Sequence, residues 1–181
     1  IIHLEISPNT FPQYWHCIND LTGIEDFTSL TSLTLINITA LDNISFSSNT
    51  LTLLEIENTH LVNLDCQQMF SLSNLSLSTI TSNIGAFGSS FPSNTLTSLE
   101  MEGVDISYVD FSHLLNLSHL SLTNLSNLSQ IYLSNNLSLS SLHIDGLPLN
   151  FIYLSGANSL SQFTIDNTNL ASLDLSTNNQ L

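Results

Sequence analysis

The residues of this chain that could do chemistry are carboxylates, histidines, hydroxyls and two cysteines, because its 181 residues include no lysine and no arginine. Its six histidines have no HExxH motif or other metal-ligand spacing, and no ligand pattern surrounds His113 or His119. Serine and aspartate are abundant, but no GxSxG motif marks a nucleophile. The sequence therefore predicts a non-catalytic protein that needs no cofactor.

The absence of lysine and arginine also excludes several classes of partner. The formal net charge is −15, and binding to nucleic acid or to anionic lipid depends on lysine and arginine. No apolar run approaches the roughly 18 residues of a membrane-spanning helix. We therefore expect no nucleic-acid partner and no membrane insertion, and a fold held together by apolar burial and hydrogen bonds.

Acidic residues recur at intervals, and the tightest group is Glu100, Glu102 and Asp105. Calcium takes several oxygen ligands and could bridge such carboxylates. The sequence has no Asp-rich calcium loop of fixed spacing, so these three residues are only a weak calcium candidate. A solvated acidic face is the favoured interpretation.

Aromatic residues flank several apolar positions in the second half of the chain, namely Tyr108, Tyr132, Phe151 and Tyr153. If these positions face outward on adjacent strands, about 4.8 Å apart, the four rings form one exposed surface. Exposed contiguous aromatics mark contact surfaces, so we predict a site for a protein or carbohydrate partner. Cross-strand pairing that only stabilises a sheet is the alternative.

Seven asparagines lie in N-x-S/T sequons, which accept N-glycans in secreted proteins. They are Asn37, Asn43, Asn74, Asn116, Asn124, Asn127 and Asn136. Chance alone predicts nearly this many in a chain so rich in asparagine, serine and threonine. Asn43 and Asn74 are expected to point outward from strands, where a glycan fits.

The elements that position these residues come from a repeat. Seventeen frames of the form LxxLxL, with large apolar residues at the first and fourth positions, run from Ile1 to Leu175. Alternate frames differ: one class runs into Ser-x-Asn, as in LDLSTNN, and the other into an acidic or Asn turn, as in LEIENTH. The period is therefore about 21 residues, or two frames.

This periodicity predicts a solenoid. Residues two apart on a strand point to the same side, so each frame buries one edge, and stacked coils bury these edges jointly. We expect a right-handed β-solenoid of about eight 21-residue coils, with parallel strands on one or two faces and little α-helix. Asparagine and serine after each strand suit the turns.

The segments LTLLEIENTHLVNLDC and LASLDLSTNNQL resemble the 21-residue leucine-rich repeats of internalin J type and similar bacterial surface proteins. The resemblance covers nearly the whole chain, most strongly residues 30–181. It implies an extracellular location and a role in adhesion or protein binding. It also places Cys66 at an inward position where that family stacks cysteines, although one such cysteine makes no ladder.

The rest of the domain organisation follows from irregularities in the repeat. Residues 1–181 form one solenoid, with an irregular coil or cap at 8–27 and an insertion or bulge at 78–95. Cys17 and Cys66 either form one disulfide or lie as two buried thiols, and burial is favoured.

Neither end shows a clear cap, so we expect a fragment of a longer array or a chain that stacks end to end on neighbouring molecules, with an unrecognised cap as the third alternative. Two functions follow. The first is an extracellular structural protein that assembles into filaments through its terminal coils. The second is an adhesion module that binds through the aromatic residues.

Overall fold

The structure, a computed structural model, describes residues 2–10, 17–81 and 90–181. These residues wind as a β-solenoid in which every paired strand is parallel to its neighbour. The long sheet contains β1 (His3–Ile6), β2 (Ser32–Ile36), β4 (Leu53–Glu57), β6 (Asn74–Ser78), β7 (Ser98–Glu102), β9 (His119–Thr123), β11 (Ser141–Asp145) and β13 (Gln162–Asp166), in that order.

The other half of each coil contributes shorter strands. Two pair as β3 (Asn43–Ser45) with β5 (Asn63–Asp65), and three form the ladder β8 (Val109–Asp110), β10 (Gln130–Tyr132) and β12 (Phe151–Tyr153). The described residues include a 3-10 turn at Ile24–Asp26. Strands on two sides and the near absence of helix confirm the predicted solenoid.

The strand register follows the frames of the sequence. The fourth position of alternate frames pairs across the long sheet, as Leu33 with Leu54 and Leu54 with Leu75, and the intervening frames pair Val109 with Ile131. All five side chains are at most 2% exposed, and each stabilises the fold by about 1.5–3 kcal/mol relative to an exposed position. The two frame classes thus build opposite walls of one apolar core.

The predicted number of coils is too high. Successive strands of the long sheet from β2 to β13 begin 21 to 24 residues apart, which gives about six turns instead of eight. The frame pattern extends beyond these turns, but Leu21–Asp26 ends in the 3-10 turn and the frame at Leu170–Leu175 forms no strand. Residues 11–16 of the predicted irregular coil and 82–89 of the predicted insertion lie outside the described residues.

A column of left-handed residues ends the strands of the long sheet. Each strand from β2 onward is followed directly by a residue with φ between 45° and 71°: Asn37, Asn58, Thr79, Gly103, Asn124, Gly146 and Asn167. Six are asparagine or glycine, which accept this conformation at low cost. Thr79 is the exception, because its β-branched side chain is strained at φ 54°.

Replacement of Thr79 by Asn is expected to stabilise the protein by about 0.5–1 kcal/mol, because strain in the left-handed conformation is relieved. Urea unfolding of the variant measures the change. Thr28→Asn, at an exposed threonine outside this column, is the control and should leave stability within about 0.5 kcal/mol. Equal effects of the two substitutions would contradict the prediction.

A ladder of hydroxyl groups joins the coils, and each hydroxyl belongs to a residue just before a strand of the long sheet. Seven hydroxyls each donate to a main-chain carbonyl of the preceding coil at 3.0–3.3 Å, and they belong to Thr31, Thr52, Ser73, Thr97, Ser118, Ser140 and Ser161. From Thr52 onward, the accepting carbonyl belongs to the preceding member of the ladder. This hydroxyl ladder is the physical reason for serine or threonine at the second position of these frames.

Two buried asparagines tie turns of consecutive coils together on the other side. Asn136 Nδ2 donates to Phe111 O at 2.9 Å and to Leu114 O at 2.8 Å, and Asn178 Nδ2 donates to Leu154 O and Ala157 O. Both side chains are at most 3% exposed. These asparagines satisfy carbonyls that the turns leave inside the core.

Candidate functional site

The predicted aromatic residues come together on the β8–β10–β12 ladder. The rings of Tyr132 and Tyr153 stack with centroids 5.0 Å apart and planes 7° apart. Tyr108 lies against Tyr132 with centroids 6.0 Å apart and planes at 51°. The three tyrosines therefore form a continuous row across three coils, as the spacing of the frames predicts.

Phe151 extends this row sideways. It pairs in register with Gln130, whose Oε1 accepts a hydrogen bond from the Tyr132 hydroxyl at 3.0 Å. Phe151 is 55% exposed, Tyr108 57% and Tyr153 45%. Tyr108, Tyr132, Phe151 and Tyr153 are hereafter the aromatic surface. Because large apolar rings at this exposure do not contribute fully to the core, packing alone does not explain their presence.

Two of the tyrosines, Tyr132 and Tyr153, occupy a position that other coils give to aspartate. Asp110 and Tyr132 are register partners, and Tyr132 pairs with Tyr153; Asp174 follows Tyr153 by one 21-residue period. Asp110 and Asp174 each accept the main-chain N–H two residues later at 2.9 Å, which stabilises the turn. Tyrosine cannot make this bond, so two coils give up a turn contact for an exposed ring.

The two aspartates at the ends of this column hold their charge. Hydrogen bonds from the Ser112 hydroxyl and main chain keep the pKa of Asp110 below its ordinary value, although partial burial opposes this. Ser176 lowers the pKa of Asp174 in the same way. Since carboxylates that accept such bonds favour the ionised form, both aspartates are anions at neutral pH.

The outward face of the long sheet is acidic, but its charges are spaced. Glu55 on β4 and Glu100 on β7 both pair with Ser76 of the intervening β6. Two strand spacings therefore separate these glutamates, roughly 10 Å. Thr34 Oγ1 donates to Glu55 Oε2 at 3.0 Å. Alternating hydroxyls explain how a sheet without lysine or arginine tolerates these carboxylates.

Added salt is expected to stabilise the protein, because almost every charge pair in the chain is repulsive. Raising NaCl from 20 to 200 mM shortens the Debye length and should raise Tm by roughly 3–6 °C. Thermal unfolding followed by circular dichroism measures the shift. Near the pI of 4.1 the salt effect should vanish, and a Tm that falls with salt at pH 7 would contradict the prediction.

The structure does not assemble the weak calcium candidate into a metal site. Glu100 and Glu102 both lie exposed on β7, whereas Asp105 lies beyond the turn and accepts a hydrogen bond from Asn127 Nδ2 at 2.7 Å. Residues 2–10, 17–81 and 90–181 hold no group of three potential ligands that could bind a metal ion. The calcium interpretation is therefore dropped in favour of a solvated acidic face.

The predicted glycosylation sites divide by exposure. Asn43 and Asn74 are exposed on strands, as expected, and Asn116, Asn124 and Asn127 are also exposed. Asn37 is half-buried, and its Oδ1 accepts from Asn58 Nδ2. Asn136 is fully buried, with its Nδ2 bonded to two carbonyls, so this residue is removed from the predicted set because the folded coil has no room for a glycan.

The two cysteines are not bonded to each other. Cys17 is exposed and Cys66 is buried, so the favoured prediction of two buried thiols holds only for Cys66. Burial and the adjacent Asp65 carboxylate raise the pKa of the Cys66 thiol. Since the thiolate is the reactive form, Cys66 is an inert core side chain.

Thiol labelling should therefore detect one cysteine in the native protein. We expect Ellman's reagent to modify Cys17 within minutes and Cys66 only after denaturation, because unfolding exposes its thiol. The Cys17→Ser variant should show no native reaction. Two equivalents released from the folded protein would contradict the burial of Cys66.

Structural comparison identifies a solved structure of similar fold. The functional domain of InlJ from Listeria monocytogenes, described as including a cysteine ladder, matches with a TM-score of 0.64 and 22% identity over 91% of this chain. The match covers 40% of the InlJ chain, so the present chain spans less than half of that protein. No protein-family profile and no curated protein sequence matches.

This match confirms the predicted resemblance at the level of the fold: the chain is an InlJ-like leucine-rich-repeat solenoid. It has two cysteines in all, and with Cys66 alone buried it has no counterpart of the InlJ ladder. Across the described residues, no helix is long and apolar enough to cross a membrane.

Proposed function

We propose that this protein is an extracellular, non-catalytic binding module of the adhesion type, which contacts its partner through the aromatic surface. The observation that carries the proposal is the replacement of the turn-forming aspartate by Tyr132 and Tyr153 in adjacent coils. The exchange removes a main-chain hydrogen bond that Asp110 and Asp174 make. It supplies in return two stacked rings, Tyr153 exposed and Tyr132 half-buried, of the kind that dominate binding energy at interfaces.

Binding arrays test this proposal with a matched pair of variants. The double variant Tyr132→Ser/Tyr153→Ser should keep its fold, since serine already occupies the corresponding position at Ser45, in register with Asp65. Intact protein and double variant are applied to a glycan array and to a peptide array that spans basic, neutral and acidic sequences. We expect at least one ligand class to be retained by the intact protein and lost, by tenfold or more, from the variant.

A second double variant controls for surface change elsewhere. Ser76→Ala/Ser121→Ala alters outward positions of the long sheet and should leave the array pattern unchanged. Identical patterns for the intact protein and the tyrosine variant would overturn the proposal.

Self-association through the terminal coils is the second candidate, and one observation favours it. In the frame that follows β13, Leu173 is 38% and Leu175 37% exposed. A further apolar layer, such as one from a second copy, would bury these side chains. Sedimentation velocity over a hundredfold concentration range should show growing species that Leu173→Asp abolishes; a monomer throughout would reject this candidate.

Glycosylation stays a proposal for the exposed sequons. It draws support from the exposure of Asn43 and Asn74 on strands. The intact mass of protein secreted from a eukaryotic cell tests it, and an unmodified mass would remove it.

A further inference from the structure

We propose that the ligand of the aromatic surface is cationic: an arginine- or lysine-rich segment of a partner protein, whose side chains lie against Tyr132, Tyr153 and Tyr108 between the carboxylates of Asp110 and Asp174. This inference rests on the proposed function and names the chemical class of the ligand.

The first argument is charge complementarity. The chain has a formal charge of −15 and no lysine or arginine, so no basic side chain of its own, other than histidine, can lie on these rings. Tyrosine faces attract cations through their quadrupole. A partner must therefore supply the guanidinium or ammonium group that an exposed ring row attracts.

The second argument is the order of groups along the row. In successive coils the same repeat position holds Asp110, Tyr132, Tyr153 and Asp174. Asp110 therefore lies one strand from Tyr132, about 4.8 Å away, and Asp174 takes the same repeat position one period after Tyr153, beyond the last strand. An extended segment carrying several basic side chains could place one on the rings and another at each carboxylate, where charge-assisted hydrogen bonds form.

The third argument concerns rigidity. Tyr132 is held by its stack on Tyr153 and by the hydrogen bond from its hydroxyl to Gln130. A ring that is fixed before binding loses little side-chain entropy when a ligand arrives. The row therefore presents a preorganised face, with Tyr108 tilted at its edge.

Calorimetric titration at 150 mM NaCl tests the inference with a capped peptide of four arginines alternating with glycine. The matched peptide replaces arginine by citrulline, which keeps the shape and removes the charge. We expect the arginine peptide to bind at least tenfold more tightly, and Tyr132→Ser/Tyr153→Ser to weaken it about tenfold, because the variant removes both the outer face of Tyr153 and the stacked ring that holds it in place.

Two charge variants separate this site from attraction to the overall negative charge. Asp110→Asn/Asp174→Asn preserves the turns, since the asparagine oxygen can accept the same N–H, and should weaken the arginine peptide about threefold to tenfold. Glu100→Gln/Glu102→Gln removes equal charge from the long sheet and should change affinity less than twofold. Equal effects of these two variants, or no effect of the tyrosine variant, would overturn the inference.

A neutral oligosaccharide, cellohexaose, is the third probe and tests whether the aromatic surface binds an uncharged ligand instead. Binding of cellohexaose that is lost in the tyrosine variant, with no binding of the arginine peptide, would overturn the cationic ligand while supporting the proposed function. Absence of binding by both probes would also overturn the cationic ligand, whereas the proposed function is decided separately by the arrays.

Discussion

Substitution of Gly156 by alanine is expected to destabilise the protein by about 3 kcal/mol or more, because overpacking against rigid backbone has no rotamer that relieves it. A Cβ atom at this position would lie 1.7 Å from Ser134 O, 2.1 Å from Ser134 C and 2.8 Å from Asn135 N of the preceding coil. The two turns must separate to admit it. Thermal and urea unfolding measure the loss, which corresponds to a fall in Tm of roughly 6–12 °C.

Gly103 provides the matched control. Its φ is +58°, but the nearest atom to an added Cβ is 3.8 Å away, so Gly103→Ala carries only the conformational cost of about 1–2 kcal/mol. Because solenoid coils are coupled mainly to their neighbours, Gly156→Ala should also broaden the unfolding transition. Similar losses for the two variants would mean that the turns do not approach as closely as the structure shows.

Replacement of Asn136 by aspartate is expected to cost about 3–5 kcal/mol at pH 7. The two carbonyls that accept from Asn136 Nδ2 at 2.9 and 2.8 Å would then face a buried carboxylate, which donates nothing and carries an uncompensated charge. Asn136→Ala should cost less, about 2 kcal/mol, because it removes the bonds without adding charge. It also removes Asn136 Oδ1, which has no partner among the described residues.

The pH dependence distinguishes charge from packing. The carboxyl group introduced by Asn136→Asp would be buried and would have a raised pKa. The loss in the free energy of unfolding is therefore largest above that pKa, and it shrinks as the pH falls toward the ordinary aspartate pKa of about 3.9. Asn135→Asp makes the same charge change at an exposed neighbour and should alter stability by less than about 0.5 kcal/mol. A loss of stability that does not change with pH would contradict the proposed burial of charge.

The repeat made much of the fold predictable. Leu33, Leu54 and Leu75 pair in register because a 21-residue period returns each side chain to the same wall of the core. The stacked pair Tyr132 and Tyr153 followed from the same arithmetic, since the two residues are register partners on neighbouring strands, whereas Tyr108 lies outside that column and contacts Tyr132 at an angle. Where frames are weak, as at Leu21–Asp26, periodicity could not choose between a strand and the 3-10 turn that forms.

Other features depend on side-chain contacts that a period does not encode. Asn136 and Asn43 share the same sequon pattern, yet one is buried and the other exposed, because the turn after β10 directs Asn136 inward to Phe111 O. The hydroxyl ladder was also missed, although serine or threonine at the second position of successive frames was a visible signal.

The hydroxyl ladder has a consequence for how the chain can change length. From Thr52 to Ser161, each member donates to the carbonyl of the member before it, so every coil offers the next the same donor and the same acceptor. A duplicated or deleted coil would meet matching groups on both sides. Such interchangeable units let recombination within a gene lengthen or shorten the rod without a new interface having to evolve.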